Sequence, residues 1–313
     1  MPEVQYLSVD PDREGQRIDN FLIGHFNRLP KTLIYRWLRK GELRVNKKRI
    51  KPTYRVTAGD TIRIPPFQLE DKEEIIPVKE DHLTYLESLI LFENEDYMVI
   101  NKPSGIAVHG GSGVNSGLIE RLRQLRPKAK KLELAHRLDK ETSGCIIIAK
   151  KYSILTYFHQ ILKDRKAQKI YHALVHGHWQ SPQKKINAPL KRHLLAHGER
   201  IVKIDHSEGK EALTSVKPLQ TFSDYTLVEA KPHTGRTHQI RVHLASENHP
   251  IVCDKKYGWQ ERDLKIMKKG FNRLFLHAYS ISFIDPKTNE RQLFTAPYDQ
   301  KCNKLLSALS KKN

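Results

Sequence analysis

The pattern of this sequence breaks at Pro65-Pro66, and the break determines how the chain can be divided. Before it, apolar residues recur at helical spacing and then alternate as in short strands. After an acidic stretch, the remainder is rich in strand-like runs. We therefore predict a small domain over residues 1–66, a linker over 67–88 and a larger domain over 89–313. A chain of 313 residues is long enough to bury two hydrophobic cores.

The first segment is strongly basic. Residues 28–55 include eleven basic side chains and a single acidic one, Glu42. The apolar residues on either side of Pro30 predict two short amphipathic helices, and strands follow with a turn at Asn46-Lys47. This pattern predicts a cationic binding face. The candidate RNA contacts are Arg36, Arg39, Lys40, Lys47 and Lys48.

This segment resembles an S4 domain, a small αβ RNA-binding module. The resemblance rests on residues 16–22, 34–41, 43–46 and 58–60. It implies that basic side chains face structured RNA, whose shape is read largely through its phosphates.

Charge also indicates the partner of the whole chain, because 55 Lys and Arg against 35 Asp and Glu give a formal net charge of +20. Such an excess favours nucleic acid. No stretch approaches the length of a transmembrane helix, and the start of the sequence lacks the regions of a signal peptide. We therefore expect a cytoplasmic protein that acts as a monomer and binds no membrane.

Metal sites are not predicted. Three cysteines, Cys145, Cys253 and Cys302, are widely spaced and odd in number, which argues against a disulfide framework or a zinc cluster. Two histidine pairs, His238 with His243 and His172 with His176, lack the matching acid of a zinc hydrolase. We predict no metal and no cofactor.

The larger domain is predicted to be mixed α+β, with a mainly antiparallel central sheet and flanking helices and loops. The predicted strands are 97–100, 145–149, 171–175, 225–230 and 274–283. The predicted helices are 117–125, 153–162, 238–246 and 301–309.

One carboxylate in this domain is a candidate catalytic group. Asp139 stands in the polar loop His136-Arg137-Leu138-Asp139, shortly before the apolar run 145–149. A carboxylate on a loop anchored by a buried strand is held rigidly and stays open to a ligand, as nucleophilic or acid/base chemistry requires. The alternative is a surface ion pair between Arg137 and Asp139.

Three further segments accompany it. Asn101-Lys102-Pro103-Ser104-Gly105 predicts a loop at a strand end, where the backbone can approach a ligand. Tyr171 begins a strand and could pack against a base or fill the core. Residues 234–243 carry Arg236 and Arg241 near a helix start. Because arginine there does not complement the helix dipole, we expect a carboxylate or phosphate to hold at least one of them.

In this order and spacing, the four segments resemble the RluA family of RNA pseudouridine synthases over about residues 91–299. The motifs are His136-Arg137-Leu138-Asp139 with Thr142-Ser143-Gly144, and residues 235–243. Residues 108–113 and 272–277 extend the resemblance. The resemblance implies the pseudouridine synthase fold and isomerisation of uridine within RNA. With an S4-like domain in front, it implies 23S ribosomal RNA as the substrate, at more than one uridine.

The resemblance also implies roles for single residues. Asp139 would attack C1′ or remove the C2′ proton, which the sequence leaves open. Arg241 would pair with it, Tyr171 would lie on or beside the uracil, and Ile240 would line the pocket.

A base in folded RNA must leave its stack before it can react. Arg137 is the candidate wedge, because a planar guanidinium can stack on bases and bind phosphate. Lys102 and Arg236 are predicted to bind phosphate or line the pocket.

The sequence argues against two other functions. A non-catalytic RNA-binding factor would be expected to lack Asp139 or Arg241, and both are present. An RNA hydrolase would need a metal cluster or a second catalytic carboxylate, and neither is predicted.

Overall fold

A computed structural model describes residues 3–26, 29–68, 80–110, 116–129, 132–194 and 199–311. The chain divides into two compact units, Met1–Pro77 with Lys151–Ser153, and Val78–Lys150 with Ile154–Asn313. A helix over Glu80–Ser88 lies within the segment that the sequence predicts as linker. Residues 69–79 of that segment lie outside the described residues, as do Arg28 and residues 111–113. The domain boundaries therefore stay a prediction.

The first unit contains two helices and a small antiparallel sheet with the strand order β1-β4-β2-β3. Its elements are β1 (Gln5–Ser8), α1 (Ile18–His25), α2 (Lys31–Lys40), β2 (Arg44–Val45), β3 (Lys48–Arg49) and β4 (Thr61–Ile64). The predicted turn joins β2 to β3. Asn46 and Lys47 both have positive φ there, at 50° and 68°, as a two-residue hairpin turn requires.

Helix α2 separates its apolar and basic residues. Ile34, Trp37 and Leu38 are buried in the core of this unit. The helix ends at Gly41, whose φ of 70° favours glycine. The opposite face is open to solvent, and the exposed candidate RNA contacts of this unit are Arg36, Arg39, Lys40, Lys47 and Lys48.

The second unit is built on a large sheet. Its helices are α3 (Glu80–Ser88), α4 (Leu118–Leu125), α5 (Tyr152–Lys163), α6 (Gln239–Ser246), α7 (Gln260–Met267) and α8 (Gln300–Ser310). Its strands are β5 (Ile90–Glu93), β6 (Tyr97–Lys102), β7 (Glu133–Leu134), β8 (Ser143–Ala149), β9 (Gln168–His176), β10 (Lys184–Asn187), β11 (Leu190–Leu194), β12 (Arg200–Ile204), β13 (Leu213–Thr221), β14 (Tyr225–Pro232), β15 (Leu276–Ile284) and β16 (Arg291–Thr295).

Ten of these strands, counted over the described residues, form one sheet with the central order β10-β13-β14-β9-β15-β8-β6-β5. Strand β16 extends it beside β15, and β7 pairs with β8. The ladders are antiparallel except where β15 runs parallel to β8. Strands β11 and β12 form a separate hairpin.

The middle of the sheet is covered on both faces. Alternate residues of β8 enter two cores, with Ile146 and Ile148 packed with α4 and Ile147 packed with α5. Every residue of β8 is buried, which explains why its sequence reads as a continuous apolar run. This strand anchors the loop that carries Asp139.

Gly144 allows β8 and β15 to approach each other. Its φ is 109°, and a Cβ atom built there would lie 2.2 Å from the carbonyl oxygen of Ala278. Any side chain at this position would force the two strands apart. The glycine of the Thr142-Ser143-Gly144 motif is therefore a packing requirement next to the candidate site.

Candidate active site

A cavity of about 890 Å³ lies between the Asp139 loop, the start of β9 and the segment that leads into α6. A volume of this size is typical of small-molecule sites. Among its described lining residues, Asp139 is the one carboxylate and nine are cationic. These cations are Arg137, Lys163, Arg165, Lys166, Lys169, Lys231, Arg236, Arg241 and Arg291. The wall thus suits a polyanionic ligand.

The Asp139 loop is fixed on two sides by backbone contacts. Toward β8, the amide of Ile147 donates to His136 Nε2 at 3.2 Å. Burial lowers the pKa of His136 to about 3, so this ring stays neutral and can accept that bond. Toward the segment after β6, Gly105 N donates to Lys140 O at 2.9 Å, and Ser104 Oγ donates to Glu141 O at 2.6 Å. Asp139 is thereby held in place with its side chain 25% exposed.

The structure corrects the prediction for Lys102, which was expected to bind phosphate or line the pocket. Its side chain is fully buried, and Nζ donates to Pro103 O and Ile106 O at 2.9 Å and to Lys140 O at 3.1 Å. Burial lowers the pKa of Lys102, while three carbonyl acceptors match the three N–H bonds of the ammonium. Lys102 joins two loops and cannot reach RNA.

Arg241 is held by a carboxylate, as its position near a helix start predicts. Its Nε and Nη2 donate to Asp254 at 2.8 and 2.7 Å. The remaining nitrogen, Nη1, lies 3.8 Å from Asp139 Oδ2. Burial is the largest single effect and works to lower the pKa of Arg241, but the hydrogen bonds and charge of Asp254, together with the charge of Asp139, raise it overall. The guanidinium therefore remains a fixed positive charge beside Asp139.

Tyr171 and Ile240 both line the cavity. Tyr171 lies on β9, is half-buried and packs against two of the hydrophobic cores. Burial, with a smaller contribution from the charge of Asp139, raises the pKa of its hydroxyl, which keeps it neutral. Its ring thus contributes to the core and to the cavity wall, and its contact with a base stays a prediction.

Two arginines predicted to contact RNA lie at the edge of this cavity. Arg137 is exposed next to Leu138 and Asp139. Arg236 is also exposed, and its Nε donates to Glu211 O at 3.0 Å. Both positions are compatible with RNA contact, and their roles stay predictions.

Sequence reasoning missed three groups of this site. Asp254 lies eight residues after the end of α6 and outside the motif, so nothing in the sequence connects it with Arg241. His238 was considered only as a metal ligand, yet its Nε2 lies 3.8 Å from Asp139 Oδ2. Its Nδ1 lies 2.7 Å from the hydroxyl of Tyr257, the third group. The position of His238 inside the 234–243 motif was the available signal.

The histidine pairs have other partners. His243 is buried and contacts Thr214 and Ala188, and His176 contacts Asp263. Over the part of the chain that the structure describes, no group of three or more His, Cys, Asp or Glu residues could hold a metal ion. No helix within the described ranges is long and apolar enough to span a membrane.

Comparison with known proteins covers both units. The S4 domain model matches residues 16–62, and the model described as RNA pseudouridylate synthase matches residues 96–246. The chain is 49% identical over 311 residues to ribosomal large subunit pseudouridine synthase C of Yersinia pestis, covering 99% of this chain and 97% of that protein. The chain belongs to the RNA pseudouridylate synthase family.

Two other members of the family support this assignment. The Escherichia coli K12 ribosomal large subunit pseudouridine synthase C is 48% identical over 311 residues, covering 98% of this synthase and 97% of the relative. The solved structure of human RNA pseudouridylate synthase domain containing 4 has a TM-score of 0.60 and 25% identity, covering 74% of this chain and 96% of the human chain. The predicted fold class, the S4 domain and the enzyme class, an isomerase, are confirmed.

Proposed function

We propose that this synthase isomerises several uridines of 23S ribosomal RNA to pseudouridine, with Asp139 as the catalytic residue. One observation carries the proposal. A single carboxylate faces a cavity whose described lining is otherwise strongly cationic, and Arg241 lies beside it as a fixed counter-charge. A polyanion can enter such a cavity, and one acid is available to act on it.

The reaction breaks the bond between N1 of uracil and C1′ of the ribose, turns the base and joins C5 to C1′. The hydrogen on C5 is lost to solvent and N1 gains one, so no oxidant or reductant is needed. Asp139 acts at the sugar, either by attack on C1′ or by removal of the C2′ proton. Both roles need an ionised carboxylate, and Arg241 places a positive charge 3.8 Å from it.

The target base must leave its stack to reach Asp139, at a cost of about a few kcal/mol. Tyr171 and Ile240 offer an apolar wall for the extruded uracil. Arg137, exposed at the same edge as Asp139, would fill the gap left in the RNA. The wall and the wedge would thus offset part of the unstacking cost.

The S4 unit supplies a second RNA contact. Arg36, Arg39 and Lys40 lie exposed on α2, opposite its buried apolar face. They would bind the phosphates of folded RNA and add affinity that depends on salt. We also propose that the protein acts as a monomer in the cytoplasm, where ribosomes are assembled.

The test uses RNA that carries tritium at C5 of uridine, because C5 loses its hydrogen when it becomes the glycosidic carbon. The wild-type chain should release label from a 23S transcript, and Asp139→Asn should release none while binding the RNA with unchanged affinity. Glu141→Gln is the matched control, since it removes one negative charge from the same loop and its side chain is exposed. Release by Asp139→Asn at the wild-type rate would contradict the assignment.

A further inference from the structure

We propose that His238 is a positioning residue that holds Oδ2 of Asp139 through a neutral Nε2–H and leaves Oδ1 as the oxygen that acts on the sugar. The inference rests on the proposed function, because it assigns the orientation of the same carboxylate.

The first observation concerns one oxygen of Asp139. His238 Nε2 and Arg241 Nη1 each lie 3.8 Å from Oδ2. Among the described residues, none makes a hydrogen bond to Oδ1, and the shortest contact of each of these two groups with Asp139 is the one to Oδ2. A separation of 3.8 Å is longer than a hydrogen bond, but such contacts shorten in many active sites when substrate binds and expels water. The two donors thus define which oxygen is held and which is free.

The second observation concerns the proton on His238. The amide of Val202 donates to the hydroxyl oxygen of Tyr257 at 3.0 Å, and that oxygen lies 2.7 Å from His238 Nδ1. A phenolic oxygen that accepts the amide proton can donate its own proton at the same time, and Nδ1 is within hydrogen-bond distance of it. A neutral imidazole that accepts at Nδ1 carries its hydrogen on Nε2. That hydrogen faces Asp139.

The surroundings favour the neutral ring. Burial lowers the pKa of His238, and the positive charges of Arg241 and Lys256 act in the same direction, although Asp139 and Asp254 oppose them. A neutral donor can orient the carboxylate without competing with Arg241 as the counter-charge. Arg241 also lies over the ring of Tyr257, with its guanidinium carbon 5.0 Å from the ring centroid. The same tyrosine therefore contacts both groups that hold Oδ2.

The third observation is the backbone of His238. Its φ of 54° is left-handed, immediately before α6. The neighbouring Gln239 is buried, and its side chain bonds to Arg236 N, Leu213 O and Thr214. These hydrogen bonds tie the turn to Arg236 and to β13, and so hold the backbone of His238 in this conformation. Histidine is among the residues that tolerate this conformation, and the conformation brings the ring to within 3.8 Å of Asp139.

Two substitutions separate the ring from the backbone. His238→Asn keeps a residue that tolerates left-handed φ, but its amide is too short to reach Asp139. His238→Gln extends the side chain, so its amide can donate from about the position of Nε2. Both full-length variants would be compared with wild type in single-turnover tritium release and in equilibrium RNA binding.

We expect His238→Asn to lower the single-turnover rate by about 10- to 100-fold, which corresponds to one lost hydrogen bond to a charged group. Its RNA affinity should stay within about twofold of wild type, because a positioning residue acts on the chemical step. The single-turnover rate of His238→Gln should be at least about tenfold higher than that of His238→Asn. An unchanged rate in His238→Asn, or an equal loss in both variants, would overturn the proposal.

The tautomer can be measured without catalysis. Long-range ¹H–¹⁵N spectra of histidine-labelled protein report which ring nitrogen is protonated, and His238→Asn assigns the signal. We expect the hydrogen on Nε2, and a hydrogen on Nδ1 would exclude the proposed bond. If wild-type protein released no label, the proposed function would fail, while the tautomer would still be read independently.

Discussion

Arg241 and Asp254 form a two-point ion pair, with Nε to Oδ2 at 2.8 Å and Nη2 to Oδ1 at 2.7 Å. The side chain of Asp254 is completely buried, and Arg241 is 7% exposed. The pair fixes the plane of the guanidinium, so that Nη1 is the nitrogen left to approach Asp139. The charge beside Asp139 is therefore oriented by a second carboxylate that is not among the residues lining the cavity.

We predict that Asp254→Asn lowers the single-turnover rate by about 10- to 100-fold, because the guanidinium loses its fixed orientation. It should also lower the free energy of unfolding by about 3–5 kcal/mol, since a buried charge loses its partner. Urea unfolding measures the second effect. Asp263→Asn is the control, because Asp263 is a buried carboxylate paired with His176. It should lose stability and keep the catalytic rate.

Lys169 is predicted to bind a phosphate next to the target uridine. It lies two residues before Tyr171 on β9, so both side chains lie on one face of the strand and line the cavity. Within the described ranges, no carboxylate pairs with its ammonium. Lys169→Gln should weaken RNA binding by about 5- to 20-fold and lower the salt slope by about 1, with little change in the single-turnover rate. Lys169→Arg should restore affinity.

The same residue gives a pH dependence. Burial lowers the pKa of Lys169, and only the charged amine attracts phosphate. The affinity contributed by Lys169 should thus be present at low pH and be lost as pH rises through that lowered pKa. In Lys169→Arg the decline should disappear, because a guanidinium stays charged. A wild-type decline that persists in Lys169→Arg would assign it to another group.

Lys102→Met should destabilise the catalytic unit by about 2–4 kcal/mol, because three carbonyls lose their common donor, which is fully buried. The single-turnover rate should fall as well, since one of those carbonyls belongs to Lys140, next to Asp139. Urea unfolding and tritium release measure the two effects. Lys140→Met is the control for stability, because its side chain is exposed. Equal stability of the two variants would contradict the assigned role.

Arg137→Ala should slow modification of a folded RNA hairpin by about tenfold or more, because no side chain would replace the extruded base. A short unpaired oligonucleotide has no stack to disrupt, so its rate should change little. The ratio of the two rates is the measurement. A similar loss on both substrates would assign Arg137 to phosphate binding.

Neutralising Arg36, Arg39 and Lys40 together should weaken binding to 23S transcripts and lower the salt slope by about 2–3. The single-turnover rate at saturating enzyme should be kept, because the chemistry lies in the other unit. The control neutralises three lysines at the end of α7, Lys265, Lys268 and Lys269, which are also exposed. An equal effect in the control would indicate that only net charge matters.

The sequence predicts a helix or strand correctly where burial leaves a clear pattern in the residues of that element itself. Strand β8 and helix α2 were predicted because burial of whole residues or of one face leaves a periodic pattern. Helix α7 was missed because it buries only Asp263 and Ile266 among its eight residues. Strands β11 and β12 were missed as well, because they form a short separate hairpin in which half of the residues are polar.

The candidate site likewise contains residues that the sequence identifies and residues that only the fold reveals. Asp139, Tyr171 and Arg241 could be found because each stands in a distinct motif. Asp254 and Tyr257 could not, because their roles depend on a loop that returns to α6 after the motif has ended. Lys102 was misjudged because a lysine after a strand is usually exposed, and only the fold reveals three carbonyls around it.

The segment around Asp139 is fastened through main-chain atoms of Asp139, Lys140 and Glu141. Evolution or a protein engineer could therefore exchange the side chains at 140 and 141 with little consequence for the geometry of the acid. Adding or deleting a single residue there would shift these main-chain atoms and misalign every one of the hydrogen bonds. Length, more than composition, is the heritable constraint on this stretch of chain.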